Sequence, residues 1–232
     1  MTPVVRVAPA VARHYRNLAS VTLAVPPDGL VIVGDNGHGK TNLLEALYLP
    51  QLMRAVRGGR DAEQVRFGEV GWYVEVAGDF PQAHTVSVGY DARRRRKQVK
   101  IDGVEMARLA DAAGHVPSVY LSPDDQRLAG GGPTERRRFL DVTLGLASRP
   151  YLAALAAYRH ALAQRNAALR LAHRPGASLD GVAAWEPLLA RHGAVLWSAR
   201  AAWVSARAAS FAAHCAAIGE RLPAAMQLRT PG

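Results

Sequence analysis

Eight residues, Gly34-Asp-Asn-Gly-His-Gly-Lys-Thr41, have the types and spacing of a phosphate-binding loop, GxxxxGK[ST]. Glycines at 34, 37 and 39 let the backbone curl without a Cβ clash, so that successive amides converge on an anion. Lys40 is placed to reach the outer phosphates. The Thr41 hydroxyl would ligate a magnesium ion, neutralising oxygens that the lysine does not cover. Gly34, Asp35, Asn36, Gly37, His38, Gly39, Lys40 and Thr41 are therefore the candidate nucleotide-binding residues.

Such a loop works only if rigid elements hold it. Leu30 to Val33 reads as a short buried strand, and Leu43, Leu44, Leu47 and Tyr48 recur at helical spacing along one face. The loop then sits at a helix N-terminus, where unpaired amides and the positive end of the helix dipole favour an anion.

At 232 residues and 49% hydrophobic composition, the chain is large enough for a packed core in one large domain or two small ones. Lys plus Arg is 29 against 19 Asp plus Glu, a formal net charge of +10. That excess favours polyanion partners, nucleic acid or an acidic surface; the competing reading is solvated arginine decoration. Cys215 is the single cysteine, so an internal disulfide is excluded and a reducing cytosol is expected. Arg6 and Arg13 interrupt the N-terminal apolar residues, which argues against a signal peptide. No uncharged apolar run approaches the ~20 residues that span a bilayer. The expectation is a soluble, cytoplasmic chain with no membrane partner.

Along the chain, Val5 and Val7, then Val21, Leu23 and Val25, read as two strands joined by His14-Tyr-Arg-Asn17. The Tyr15-Arg16 pair there is either a contact to base or phosphates or an exposed connection. Arg54, Arg57 and Arg60 recur every three residues around Gly58-Gly59, a spacing that could place them on one exposed face. Val74 and Val76, then Val86, Val88 and Tyr90, then Val99 and Ile101, alternate as three strands. Arg93-Arg-Arg-Arg-Lys97 marks the last turn, either as a charged edge that discourages aggregation or as a contact to a phosphate backbone.

Val116 to Leu121 reads as a further strand running into Ser122-Pro-Asp-Asp125. Gly130-Gly-Gly-Pro133 then breaks the chain before a charged helix start, with Pro133 where a first turn accepts it. Tyr151, Leu155, Tyr158, Leu162, Arg165 and Leu169 form one stripe at spacings of three and four. After Pro175-Gly176 a second long helix is expected from near Asp180. In it Val182, Leu189, Leu196 and Trp203 recur at sevens, and the pattern resumes with Phe211 and Ile218. The two helices are expected to form an antiparallel hairpin. Pro187 and Gly193 are candidate bends, and Trp185, Trp197 and Trp203 are packing residues.

The segments HYRNLASVTLAV, GDNGHGKTNLLEALYL, LSPDDQRLAGGGPTERRRFLD, YRHALAQRNAALR and WEPLLARHGAVLWSAR, in this order and covering nearly the whole chain, resemble the RecF family. The resemblance implies an α/β fold, a P-loop NTPase head of ABC/SMC type with a small antiparallel β-lobe and an inserted α-helical hairpin. The head would span 1–146 with the β-lobe at about 68–104, the helical arm 147–225, and 226–232 would begin a C-terminal lobe that is missing. It further implies ATP and Mg2+ at the loop, an ATP-dependent homodimer when complete, and binding of single- and double-stranded DNA at gaps and junctions. Recombination mediator proteins would be partners, in gap repair, recombinase loading, DNA replication and the SOS response.

This sequence departs from the family in two places. His38 stands where RecF-like loops commonly carry small residues, which would crowd the γ-phosphate or a dimer partner. The ABC-type signature and the acidic Walker B strand belong to a C-terminal segment that this chain does not include, and Val119 to Asp125 matches the family's Ser-Pro-acidic stretch instead. With no convincing residue to position water or support the metal from behind, no catalytic residue is assigned and the question of hydrolysis stays open. A hydrophobic face is expected where absent strands would pair. Net charge, the arginine turn and the resemblance together nominate Arg54, Arg57, Arg94, Arg95 and Arg96 as DNA phosphate contacts without base specificity. Two other readings compete. One is a P-loop small-molecule kinase using Asp124 or Asp125 on magnesium; the other is a non-catalytic helical interaction module with a vestigial loop.

Overall fold

The computed structural model describes residues 7–172 and 180–229, so Val5, the Pro175-Gly176 break and the end of the 226–232 tail lie outside the described residues. The chain forms two compact units, Met1–Pro123 and Asp124–Gly232.

In the first unit β1 (Val7–Tyr15) turns through Arg16-Asn17 into β2 (Leu18–Leu23). After the loop come α1 (Lys40–Leu52), β3 (Gly71–Phe80), β4 (Ala83–Asp91), β5 (Arg96–Ile101), β6 (Val104–Glu105) and the single turn α2 (Leu109–Ala112). The strands make one six-stranded sheet in the order β2-β1-β3-β4-β5-β6. All its pairings are antiparallel. The alternation expected of β3 to β5 is real: Trp72, Val74, Val76, Val86, Val88 and Val99 are buried on one face. Ala10 and Ala12 of β1 and Ala46 and Leu49 of α1 join them in one core. Because β1 pairs with both β2 and β3, the loop and α1 connect the two strands that flank β1, and α1 packs over the sheet.

Two expected strands are absent. Residues 24–39 contain no strand, and Val31 and Val33 are 84% and 85% exposed. Val116 is buried, yet the rest of Val116 to Leu121 is irregular, with Val119 96% and Leu121 85% exposed. An apolar run becomes a buried strand only against a neighbour that takes its backbone bonds and covers its side chains. Among the described residues neither run has a strand partner. The Arg54–Arg60 segment is irregular too, so its three-residue spacing does not put the arginines on one helix face.

The second unit is helical: α3 (Arg127–Gly130), α4 (Pro133–Ala147), α5 (Arg149–Ala172), α6 (Asp180–Ala183) and α7 (Glu186–Ala217). Gly132 caps α4 and Pro133 occupies its first turn, as read from the sequence. Helices α5 and α7 run antiparallel. Arg165 meets Glu186 at 3.4 Å, the Tyr158 ring lies against Gly193, and the Tyr151 hydroxyl meets Arg200 at 3.0 Å. Seven residues back along α5 match seven forward along α7, the signature of a heptad seam. Leu196 is buried there with Leu144, Tyr151, Ala154 and Leu155. Gly193 marks a close approach, since a Cβ would stand 3.4 Å from the Tyr158 ring. Trp203 packs edge-on against Phe139 and Trp185 against His160, while Trp197 is 36% exposed. No helix among the described residues is long and apolar enough to cross a membrane.

Candidate phosphate-binding loop and its supports

The glycines of the loop do what their positions demand: Gly34, Gly37 and Gly39 all have positive φ, at 148°, 85° and 93°. Gly39 is constrained a second time. A Cβ there would lie 2.7 Å from Asn17 Oδ1 and 2.9 Å from Leu18 Cδ2, so the β1–β2 turn is pressed directly against the loop. Gly39 caps α1 in the left-handed conformation and no side chain caps the helix. The first amides of α1 therefore have neither an intrahelical acceptor nor a side-chain cap. Lys40 folds back across the loop, its Nζ donating to the carbonyls of Gly34 at 2.5 Å and Asp35 at 2.8 Å.

Gly34 to His38 and Thr41 are exposed, with the His38 imidazole at the surface. Curl, uncapped helix and lysine together fit a polyphosphate. Among the described residues there is no group of three His, Cys, Asp or Glu able to hold a metal ion unaided. A magnesium ion here would depend on ligand phosphates together with Thr41.

Behind the loop lies a network that sequence reading missed. Glu45, in the middle of α1, is fully buried. Its carboxylate accepts from Arg16 Nη2 at 3.1 Å and lies 2.7 Å from Arg16 Nε as an ion pair without hydrogen-bond geometry. It also takes Arg57 through Nη2 at 2.7 Å, Nε at 3.2 Å and the backbone N–H at 3.3 Å. Burial works against ionisation of Glu45, but the hydrogen bonds from Arg57 and Arg16 outweigh it and hold the carboxyl below its ordinary value. Arg57 Nη2 also donates to Asn42 Oδ1. Asn42 Nδ2 donates to Asn17 Oδ1 at 2.8 Å, and Asn17 Nδ2 donates to the Gly37 carbonyl at 2.8 Å. The visible signal was a carboxylate on the inward side of an apolar helix, where an unpaired charge is not tolerated.

The arginines read as DNA contacts divide. Arg57 is 40% exposed and committed mainly to Glu45, and Arg16, weighed as a base or phosphate contact, is held by the same carboxylate. Arg54 is exposed. Arg94, Arg95 and Arg96 come together at the β4–β5 turn. Arg94 is 80% exposed and 3.8 Å from Asp91; Arg96 is 63% exposed and 2.6 Å from Glu105. Lys97, the fifth cation of the run, turns inward instead. It donates to Met53 O and Asp61 and sits over the Trp72 ring. Residues 1–123 hold 15 basic against 12 acidic side chains and residues 124–232 hold 14 against 7, so most of the charge excess lies in the helical unit.

No family model matches the chain. Among curated proteins it is similar to the DNA replication and repair protein RecF of Chlamydia muridarum, 36% identical over 185 residues, covering 79% of this chain and 49% of that protein. It is also similar to RecF of Staphylococcus aureus strain JH9, 38% identical over 154 residues, covering 66% of this chain and 41% of that protein. Among solved structures it is similar to the recombination mediator protein RecF-ATPrS in the RecFOR pathway, with TM-score 0.84 and 26% identity, covering 93% of this chain and 58% of the other. The RecF-ATP structure gives TM-score 0.82 at the same identity and coverage. The mixed α/β architecture is that of these structures, and the chain spans about half the length of the curated relatives it matches. By sequence and by fold alike, the chain belongs to the RecF family.

Proposed function

We propose that this chain is the nucleotide-binding part of a RecF-type DNA replication and repair protein, a recombination mediator that binds ATP and, through it, DNA. The observation that carries this is the loop itself: three left-handed glycines, an uncapped helix N-terminus and Lys40 folded across the turn. In this reading the amides from Gly34 to Thr41 hold the β- and γ-phosphates. Lys40 would exchange the carbonyls of Gly34 and Asp35 for phosphate oxygens, and Thr41 would help hold a Mg2+ ion. The bound ion supplies charge neutralisation; the protein supplies orientation.

Residues 1–146 act as the head, ending in α4, which packs with the helical unit, and residues 147–225 act as the arm. Dimerisation with ATP and cooperation with other mediator proteins belong to the whole protein. Arg54, Arg94, Arg95 and Arg96 contact the DNA backbone at gaps and junctions, and Arg57 offers only the edge of its guanidinium not taken by Glu45.

Equilibrium dialysis with ATP and Mg2+ tests the nucleotide reading. Retention by the wild-type chain and a loss of at least about tenfold in Lys40→Ala are expected, since a charge-assisted contact contributes about 1.5–3 kcal/mol. Absence of retention at millimolar ATP overturns it. Titration of gapped DNA at two salt concentrations tests the second half. Affinity should fall with salt by roughly 0.9 logarithmic units per decade for each phosphate contact, and salt-independent binding contradicts the proposal.

A further inference from the structure

Asn17 stands outside the eight loop residues, yet it touches the loop twice: its Nδ2 donates to the Gly37 carbonyl at 2.8 Å, and its Oδ1 lies 2.7 Å from where a Gly39 Cβ would be. The polarity of that contact is fixed from a distance. Glu45 is a buried carboxylate that accepts only, and Arg57 donates only. Arg57 Nη2 therefore takes the oxygen end of Asn42, which turns Asn42 Nδ2 toward Asn17 Oδ1. That in turn presents the Nδ2 end of Asn17 to Gly37 O. A carboxamide that would otherwise fit either way round is thus set by a chain starting at a buried ion pair.

From this we infer that Asn17 is a positioning residue for the phosphate loop, acting through the Gly37 carbonyl under the control of Asn42, Arg57 and Glu45. The physical consequence lies in the peptide plane. In a trans peptide the carbonyl oxygen of Gly37 and the N–H of His38 point to opposite sides. Holding the oxygen against the β1–β2 turn therefore directs the His38 amide away from that turn. There its one backbone bond among the described residues is a long 3.4 Å contact to Asp35 O, which an anion can displace. The relay presets one amide of the cradle, and the cost of ordering the loop falls on folding instead of on binding. This inference rests on the phosphate-binding reading, but it makes a claim about the empty loop that can be measured alone.

The decisive variant is Asn17→Asp, which keeps size and the acceptor toward Asn42 but removes the donor and sets a carboxylate against the Gly37 carbonyl. Its affinity for ATP and for inorganic tripolyphosphate should fall by the same factor, about tenfold or more, with the melting temperature of the chain little changed. Asn42→Ala, one step back in the relay, should act in the same direction and more weakly. Adding it to Asn17→Ala should cost less than the sum of the two singles. Without any ligand, amide hydrogen exchange at 36–39 should quicken in Asn17→Ala while the β1–β2 amides keep their protection. Unchanged exchange there, or equal polyphosphate affinity in Asn17→Asp and wild type, overturns the inference. A fall for ATP with tripolyphosphate unaffected also overturns it, because Asn17 would then touch the nucleoside directly. Failure of the wild-type chain to bind either compound defeats the phosphate reading instead, and the exchange measurement still decides the role of Asn17.

Discussion

Each unit of the chain sets a carboxylate of low exposure between two arginines, with a tyrosine at hand, and the two clusters do different work. Glu45 gathers Arg16 from the β1–β2 turn and Arg57 from the segment after α1. Asp141 on α4 gathers Arg159 of α5 at 3.0 Å and Arg200 of α7 at 2.6 Å, and its Oδ1 also accepts from the Tyr151 hydroxyl at 2.7 Å. The Asp141 cluster closes on itself: Arg200 Nε donates to the same tyrosine, so three helices are tied in a ring of bonds that returns to Asp141. The Glu45 cluster stays open, running on through Asn42 and Asn17 to the loop. The same chemistry serves in one unit as a staple and in the other as the fixed end of a lever.

Deleting either carboxylate gives the largest expected effect. Glu45→Ala and Asp141→Ala each strand an arginine of low exposure, Arg16 or Arg200, and should destabilise their own unit by about 3 kcal/mol. Hydrogen exchange resolved by segment measures this. The comparison predicts a further difference: Glu45→Ala also weakens ATP retention, because Arg57 no longer orients Asn42, whereas the damage from Asp141→Ala is confined to residues 124–232. Equal ATP loss in both variants would break the comparison.

These clusters also mark the limit of what the sequence disclosed. The loop was legible because its chemistry is local, eight consecutive residues with fixed roles. The strands β3 to β5 were legible because each pairs with its neighbour in sequence, so alternation alone identifies them. The α5–α7 hairpin announced itself through Leu189, Leu196 and Trp203 at sevens, and Leu196 is buried; the stripe misleads at its ends, because Val182 lies in the separate turn α6 and Phe211 and Ile218 are 38% and 85% exposed. Leu30 to Val33 and Val116 to Leu121 failed for the converse reason: their patterns promise burial, but burial depends on what lies beside them. Asn17, Asn42 and Glu45 were invisible because their meaning comes from contacts 20 to 29 residues apart. No spacing rule reaches that far.

Acid and alkali sharpen the comparison. The folded pKa of Glu45 lies below the unfolded value, so its contribution is present above about pH 4.5 and is lost as pH falls through the lower folded value. Protonation should therefore loosen the Asn42–Asn17 relay, and exchange at 36–39 should rise in acid before the sheet opens. The Tyr151 hydroxyl is pushed up to about 12, first by burial and then by its hydrogen bond to Asp141. Its contribution is full below the unfolded value of 10.0 and disappears as pH rises toward 12, roughly 2–3 kcal/mol in all. Burial raises Tyr15 in the first unit as well, so alkali should weaken both units. The early acid response of the loop is the discriminating one.

The smallest effect separates the two tyrosines. Tyr151 Oη donates to Asp141 and accepts from Arg200, whereas the equally buried Tyr15 hydroxyl has the Arg16 guanidinium near it but no hydrogen-bond partner of acceptable geometry among the described residues. Tyr15 contributes its ring, edge-on to Trp72 at 5.6 Å between centroids, and the ring survives replacement by phenylalanine. Tyr151→Phe should therefore cost about 1–2 kcal/mol and leave one donor of Arg200 unpaired, while Tyr15→Phe should be neutral or slightly stabilising, because a buried hydroxyl without a partner is itself a cost. Chemical denaturation of the two single variants measures the difference. A Tyr15→Phe loss as large as that of Tyr151→Phe would mean that the first cluster, too, is closed through its tyrosine, and the contrast between staple and lever would fail at that residue.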